Sequence, residues 1–294
     1  MRYRVTRMRE HRLDRPLRIV HTPPRYYPYL GGGEQLCRGF AVQLARQGHS
    51  VRVICANAGP RQSVVDGIPV LRCSTAAYVA NTNITPSLPL HLLKAPADIF
   101  HTYLPTPWSA DWTVLIGRLR RIPVVVTYMN DIVGQGPAVI VARAYNDRAL
   151  PWTLRMASAI HVFTPRYGAT SPILRSFLSQ IVAIPPGVDV DRFAPDSGER
   201  WPSTFFFLSL LDQYHRYKGL DILLRALAVA RNERPELRLI VGGRGPLLEV
   251  YRALAGELGI ADAIEFRGYV SDDDLLALYQ RCTAFVLPLS LIHI

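Results

Sequence analysis

The sequence predicts an α/β protein built from two doubly wound, Rossmann-like domains, and two observations carry that reading. Short apolar runs alternate with runs of helical period, and a Pro-, Gly- and Asp-rich stretch from Pro185 to Pro202 divides the alternation in two. The expected boundaries are an extension over 1–16, a first domain over 17–185, a linker over 186–202 and a second domain over 203–288.

Residues 1–16 are Arg-rich and show no apolar period, so they are assigned no fold, with Met8 an alternative start. Arg18–Thr22 then reads as a strand, and Glu34–Gln47 as a helix with Leu36, Phe40 and Leu44 on one face and Gly48 closing it. Strands follow at Val51–Cys55 and Ile99–His101, a helix at Trp112–Arg120, and a wholly apolar strand at Pro123–Tyr128, as in the interior of a parallel sheet. Ala159–Thr164 and Gln180–Ile184 complete the first set, with a helix expected near Ser171-Pro172. In the second set, strands at Thr204–Leu210, Leu237–Val241, Ile264–Phe266 and Ala284–Leu287 alternate with helices near Leu220–Arg231, Leu247–Leu258 and Asp272–Arg281. Ser271 before Asp272, Asp273 and Asp274 is a helix start with acids in the first turn, which explains the triplet without a metal. The last six residues, 289–294, match the translation of a sequencing-adapter end, so the native chain is expected to stop at Pro288 and the second domain to be incomplete.

The chain has 294 residues, 49% of them apolar and 19% charged, which excludes disordered and fibrous classes. It has no apolar run approaching the roughly 18–20 residues of a spanning helix, and its start lacks a secretory core, so a cytoplasmic protein is expected. Cys37, Cys55, Cys73 and Cys282 are too scattered for a zinc site or a disulfide framework and are expected to be buried thiols. The net charge of +11 lies in one half: residues 1–150 hold 19 basic and 8 acidic side chains, and residues 151–294 hold 15 of each. Such an excess fits nucleic acid, an anionic membrane or a phosphorylated substrate, and no nucleic-acid motif accompanies it. Of the 34 basic residues only Lys94 and Lys218 are lysines.

Three turns could hold an anion. Gly31, Gly32 and Gly33 follow a strand and open a helix, where unpaired amides meet a positive dipole end. A loop without ligand is the alternative. The segment Asp212 to Gly219 places His215, Arg216 and Lys218 at a helix entrance, suited to a departing diphosphate or simply an exposed basic turn. Gly242 to Pro246 lies at the carboxyl end of a strand, as a phosphate or ribose contact or an ordinary turn. No acid follows Val51–Cys55 as a dinucleotide-binding dehydrogenase requires. Asp189-Val190-Asp191 reads as a linker turn with an Asp cap and not as a metal site. His101 and Tyr103, placed after a short strand, are expected to point toward a cleft.

Taken in order, Gly31-Gly32-Gly33-Glu34, Ala45 to Val51, Ala97 to His101, Ile122 to Tyr128, Ile184 to Asp189, Tyr217 to Asp221, Gly243 to Pro246 and Phe266 to Val270 resemble the family 4 glycosyltransferases, retaining enzymes of GT-B fold. The resemblance implies transfer of a sugar from a nucleotide-sugar donor to an acceptor hydroxyl, with no metal or other cofactor. It implies that Gly31, Gly32 and Gly33 face the donor phosphates, that Lys218 neutralises the diphosphate, and that Gly268, Tyr269 and Val270 lie near the base. Gly243 and Gly245 complete the donor candidates. His101, Tyr103 and Asn130 are acceptor-side candidates, and Asp131 joins Lys218, His215 and Arg216 as a catalytic candidate. The family's usual Arg before the Lys is missing, with His215 or Arg216 as its substitute, and Met129 stands where the family often has His. The expected partners are a nucleotide sugar, a sugar or lipid-linked acceptor and an anionic inner-membrane face, with no nucleic acid. The 294-residue fragment is expected to be inactive, and a non-catalytic binding protein of the same fold is the alternative.

Overall fold

The computed structural model describes residues 15–29, 31–57, 59–79, 81–132, 138–196 and 198–289. The expected extension over 1–16 therefore lies outside the described residues except for its last two, and so does the expected adapter segment beyond Leu289. The chain forms two compact units, the first ending at Pro186 and the second starting at Gly187.

The first unit runs β1 (Arg18–Thr22), α1 (Gly32–Arg46), β2 (Ser50–Ala56), β3 (Gln62–Val65), β4 (Ile68–Cys73), β5 (Ala77–Val79), β6 (Thr82–Ile84), α2 (Leu88–Lys94), β7 (Ile99–Leu104) and α3 (Pro107–Arg120). It continues with β8 (Val124–Tyr128), α4 (Ala138–Ala144), a π-helical turn at Tyr145–Ala149, α5 (Leu150–Met156), β9 (Ala159–Val162), α6 (Pro165–Thr170), a 3-10 segment at Leu174–Gln180 and β10 (Ile181–Ala183). Eight strands form one sheet in the order β10-β9-β8-β7-β1-β2-β4-β3, parallel except for the β3–β4 pair, while β5 and β6 form a separate hairpin. Parallel strands need helical crossovers, and these cover both faces. Leu88, Leu92, Val114, Leu150 and Leu154 pack on one side, and Tyr26, Cys37, Ala41, Val53 and Tyr103 on the other.

The second unit holds β11 (Thr204–Leu208), a 3-10 turn at Gln213–Lys218, α7 (Leu220–Arg231), β12 (Arg238–Gly242), α8 (Leu248–Glu257), a 3-10 turn at Ala261–Ala263, β13 (Ile264–Gly268), α9 (Asp272–Arg281) and β14 (Ala284–Phe285). Its four parallel strands lie in the order β13-β12-β11-β14 around Phe207, Leu224, Leu239 and Val241. Ser271 caps α9 as expected, its hydroxyl accepting from the Asp274 N–H at 3.1 Å.

Several expectations needed correction. The hairpin of β3 and β4 was not anticipated, although Asp66-Gly67 between two apolar runs is its signal. Both residues have positive φ, 52° and 79°, as a two-residue hairpin turn requires. The strand expected at Ile99–His101 runs on to Leu104, because Thr102, Tyr103 and Leu104 find ladder partners in β8. The helix expected near Ser171-Pro172 is a 3-10 segment starting at Leu174. All four cysteines are buried and unbridged.

Candidate functional site

In the first unit the carboxyl end of β1 leads into a loop and then into α1, whose N-cap is Gly31. Glu34, in the first turn, is buried and folds back over Gly31, where an added Cβ would collide with its carboxylate. Arg25 faces this carboxylate, with Nε 3.5 Å from Oε1. Burial raises the Glu34 pKa, opposed by its own backbone N–H and by Arg25. Gly33 meets Met129 instead: a Cβ there would lie 2.9 Å from the Met129 methyl, so a bare backbone and a thioether share this position. Glu34 and Arg25 were not singled out from sequence; an acid at the third position of the helix is the signal that points to Glu34.

Beyond Met129 the exposed Asn130 donates to the Asp131 carbonyl at 3.0 Å. Asp131 serves as a hydrogen-bond hub. Its Oδ1 accepts from the Tyr128 hydroxyl at 2.9 Å, the Ser171 hydroxyl at 3.0 Å and the Tyr167 hydroxyl at 3.1 Å. Burial, with the nearby Asp131 charge, pushes both tyrosines well above the usual phenol range. The described contacts make Asp131 the tie between β8, α6 and the segment after it, a structural role beyond the catalytic one expected of it.

For His101 and Tyr103 it is the expected position past the strand end that is corrected. They lie within β7, not past its end, in a polar seam under α1. Tyr103 is 1% exposed and its hydroxyl lies 2.7 Å from Nδ1 of the fully buried His21. His101 stacks between Tyr103 and Phe40 of α1, with ring centroids at 4.7 and 5.7 Å. Its Nε2 lies 2.7 Å from Thr127 Oγ1, which is 3.0 Å from His161 Nδ1, while His161 Nε2 is 2.8 Å from the Ile184 carbonyl. That carbonyl can only accept, so His161 carries its proton on Nε2. Nδ1 then receives the Thr127 hydroxyl, which in turn accepts the His101 Nε2–H. Burial lowers the pKa of all three histidines, His21 to about 3.

In the second unit three turns meet at the carboxyl edge of the sheet. The Gly243 N–H donates to the Gly268 carbonyl at 2.6 Å and the Leu211 N–H to the Arg244 carbonyl at 3.0 Å. Gly243 and Gly245 have φ of 130° and 156°, and a Cβ on either would strike the backbone of Ser209 or Leu211. Close packing of two backbones therefore accounts for both glycines as residue types, the ordinary-turn alternative of the two the sequence left open. Gly268, at φ 68°, turns the chain so that the exposed Tyr269 lies under the Arg244 guanidinium at 5.4 Å; Val270 packs toward Gly242.

The basic turn is ordered, not a plain loop. Asp212 caps the 3-10 turn, accepting from the His215 N–H at 3.0 Å and lying 2.7 Å from His215 Nδ1. His215 is thereby held by the cap, whereas Arg216 is exposed and has no carboxylate partner among the described residues. Lys218 has none either. It is half-buried beside Tyr217, with Nζ 5.6 Å from the ring centroid, and burial lowers its pKa below the usual ammonium value. Gly219, N-cap of α7, follows it. Lys218 thus immediately precedes the N-terminus of α7 in sequence. Among the described residues no group of three or more His, Cys, Asp or Glu is placed to hold a metal, and no helix is long and apolar enough to cross a membrane.

Comparison with known proteins agrees with this arrangement. Residues 31–187 match the glycosyl transferase 4-like domain and residues 196–291 the glycosyl transferases group 1 domain. The D-rhamnosyltransferase WbpZ of Pseudomonas aeruginosa is 29% identical over 285 residues, covering 92% of this chain and 71% of the relative. The O-antigen chain mannosyltransferase C of Escherichia coli is 28% identical over 282 residues, covering 92% and 72%. Among solved structures, Anabaena HepE in complex with UDP and glucose superposes with a TM-score of 0.66 at 16% identity over 92% of this chain and 74% of that one, a likeness of fold. Two parallel-sheet units, glycine turns at the strand ends and matches running through both units together place the chain in the glycosyl transferase 4-like family, an enzyme family of GT-B fold.

Proposed function

We propose that the protein transfers a hexose of manno configuration from a nucleotide-sugar donor to an acceptor hydroxyl, with retention and without a metal ion. The observation that carries this reading is Lys218, a half-buried ammonium with no carboxylate partner among the described residues, next to the N-terminus of α7. As the glycosidic bond breaks, charge grows on the diphosphate, and a preplaced, partly desolvated cation stabilises that state more than the ground state. Arg216 supplies a second unpaired cation and takes the place of the family's arginine, since His215 is engaged by Asp212. The choice of sugar is supported by the names of the two long relatives, a D-rhamnosyltransferase and a mannosyltransferase, because D-rhamnose is 6-deoxymannose.

The acceptor side falls to the first unit, and we infer that it works against an anionic membrane face. Leu90 and Leu93 of α2 and Leu119 of α3 are exposed, with Lys94, Arg118 and Arg121 close in sequence, and the two helices pack together. Exposed leucines among cations fit an interface of acyl chains and anionic headgroups.

The test is turnover of GDP-mannose in buffer containing EDTA, and turnover by the 294-residue chain would also overturn the expectation that it is inactive. Lys218→Ala is expected to lower kcat roughly 100- to 1000-fold with the fold intact. Equal turnover by variant and wild type would remove Lys218 from the chemistry, and loss of wild-type turnover in EDTA would refute the metal-free reading.

A further inference from the structure

The loop between β1 and α1 presents two tyrosines to solvent while being held unusually firmly from behind. Tyr26 is fully buried, and the Tyr29 N–H donates to its carbonyl at 3.1 Å. Arg72, only 3% exposed, donates from Nη2 to the Tyr27 carbonyl at 2.6 Å and from Nη1 to the Pro60 carbonyl at 3.0 Å. Arg25 donates to Asn81 Oδ1 at 3.1 Å, faces Glu34, and lays its guanidinium carbon 4.2 Å from the centre of the Tyr29 ring. Tyr29 is nevertheless 41% exposed, and its Cε1 lies 3.5 Å from where a Cβ on Gly31 would be. One face of this ring is backed by a fixed arginine, and the ring sits beside the glycine turn.

We propose that Tyr29 is the platform for the acceptor sugar, its open face stacking on the C–H face of a pyranose ring. The proposal rests on the glycine turn receiving the donor phosphates. An acceptor hydroxyl must then come within about 3–3.5 Å of the anomeric carbon, so its ring binds within one sugar's width of the turn, where Tyr29 lies. A tyrosine is amphipathic and loses little side-chain entropy on binding, and here the Arg25 contact and the pinned backbone have already fixed it. Tyr27 is the natural comparison. It is as exposed as Tyr29, on the same loop and likewise under an arginine, Arg38, but the described neighbours of the glycine turn include Tyr29 and not Tyr27.

The experiment is saturation-transfer NMR on the 294-residue chain with methyl α-D-mannopyranoside as probe in the presence of GDP. Transfer is expected mainly to hydrogens of one ring face, with Tyr29→Ala weakening binding about tenfold and both Tyr29→Phe and Tyr27→Ala binding as wild type. If Tyr29→Ala does not fold, Tyr29→Gln carries the same expectation. Binding by Tyr29→Ala within twofold of wild type overturns the proposal, as does a loss in Tyr29→Phe or Tyr27→Ala equal to that in Tyr29→Ala. Calorimetry with GDP-mannose on the wild type separates the two readings. Tyr29-dependent mannoside binding without donor binding refutes the donor reading and leaves the platform standing, and the converse refutes the platform alone.

Discussion

Acid is expected to unfold the first unit through His21. This side chain is fully buried on β1, with Nε2 facing no partner among the described residues, and burial holds its pKa at about 3 against 6.5 for a free imidazole. Between those values the unfolded chain binds a proton that the folded chain refuses, so stability falls as pH falls, by about 1.4 kcal/mol for each pH unit below 6.5. At pH 4.5 the loss from His21 is about 3 kcal/mol, a large share of the roughly 5–15 kcal/mol that a typical domain has. His101 and His161 shift in the same direction and steepen the fall, while Glu34 and Asp111, whose pKa values burial raises, act in the opposite sense. A difference measurement isolates His21. Urea unfolding of wild type and His21→Leu, both carrying Trp201→Phe so that the remaining tryptophans report on the first unit, is followed from pH 7 to pH 4. The variant's curve of stability against pH should be shallower by about 1.4 kcal/mol per unit below 6.5. Parallel curves would refute the reasoning, since they would mean that folded His21 takes up its proton as readily as the unfolded chain.

Two further outcomes follow from the geometry. Asp131→Asn keeps an acceptor for Tyr128, Tyr167 and Ser171 but removes the charge, so the first unit should lose roughly 1–3 kcal/mol in urea titration. The phenolate absorbance of the two tyrosines should also appear at lower pH than in wild type. Sedimentation with vesicles should show the chain bound to phosphatidylglycerol and released by salt, with Leu119→Glu weakening binding more than Val229→Glu, a change at an exposed position in the second unit. Equal binding to neutral vesicles would contradict the membrane reading.

Local signals made much of the fold legible. β1, α7 and α9 fall where apolar period and caps put them, because a strand or an amphipathic helix is written in neighbouring residues. Lys218 and the glycine turns could be singled out for the same reason, as local patterns of residue type. The fates of His101, Tyr103 and Asp131 were not, since each is decided by partners tens of residues away: Tyr103 by His21, His101 by Thr127, and Asp131 by Tyr167 and Ser171. Gly243 and Gly245 show the converse limit. Their residue type was informative, but whether a bare backbone makes room for a ligand or for another stretch of chain depends on where Ser209 and Leu211 come to lie.

The relay from Ile184 through His161 and Thr127 to His101 bears on how the sheet is assembled. Two of its neighbouring strands are short and mainly apolar, Val124–Tyr128 reading VVVTY and Ala159–Val162 reading AIHV. Oily contacts alone would tolerate a shifted or swapped pairing among them. The relay does not, because every proton in it has one direction: moving β8 or β9 by a residue sends Thr127 or His161 to the opposite face, and each orphaned group costs about 1–3 kcal/mol. The polar seam thus acts as a parity check on strand order, rejecting arrangements that the apolar residues would accept.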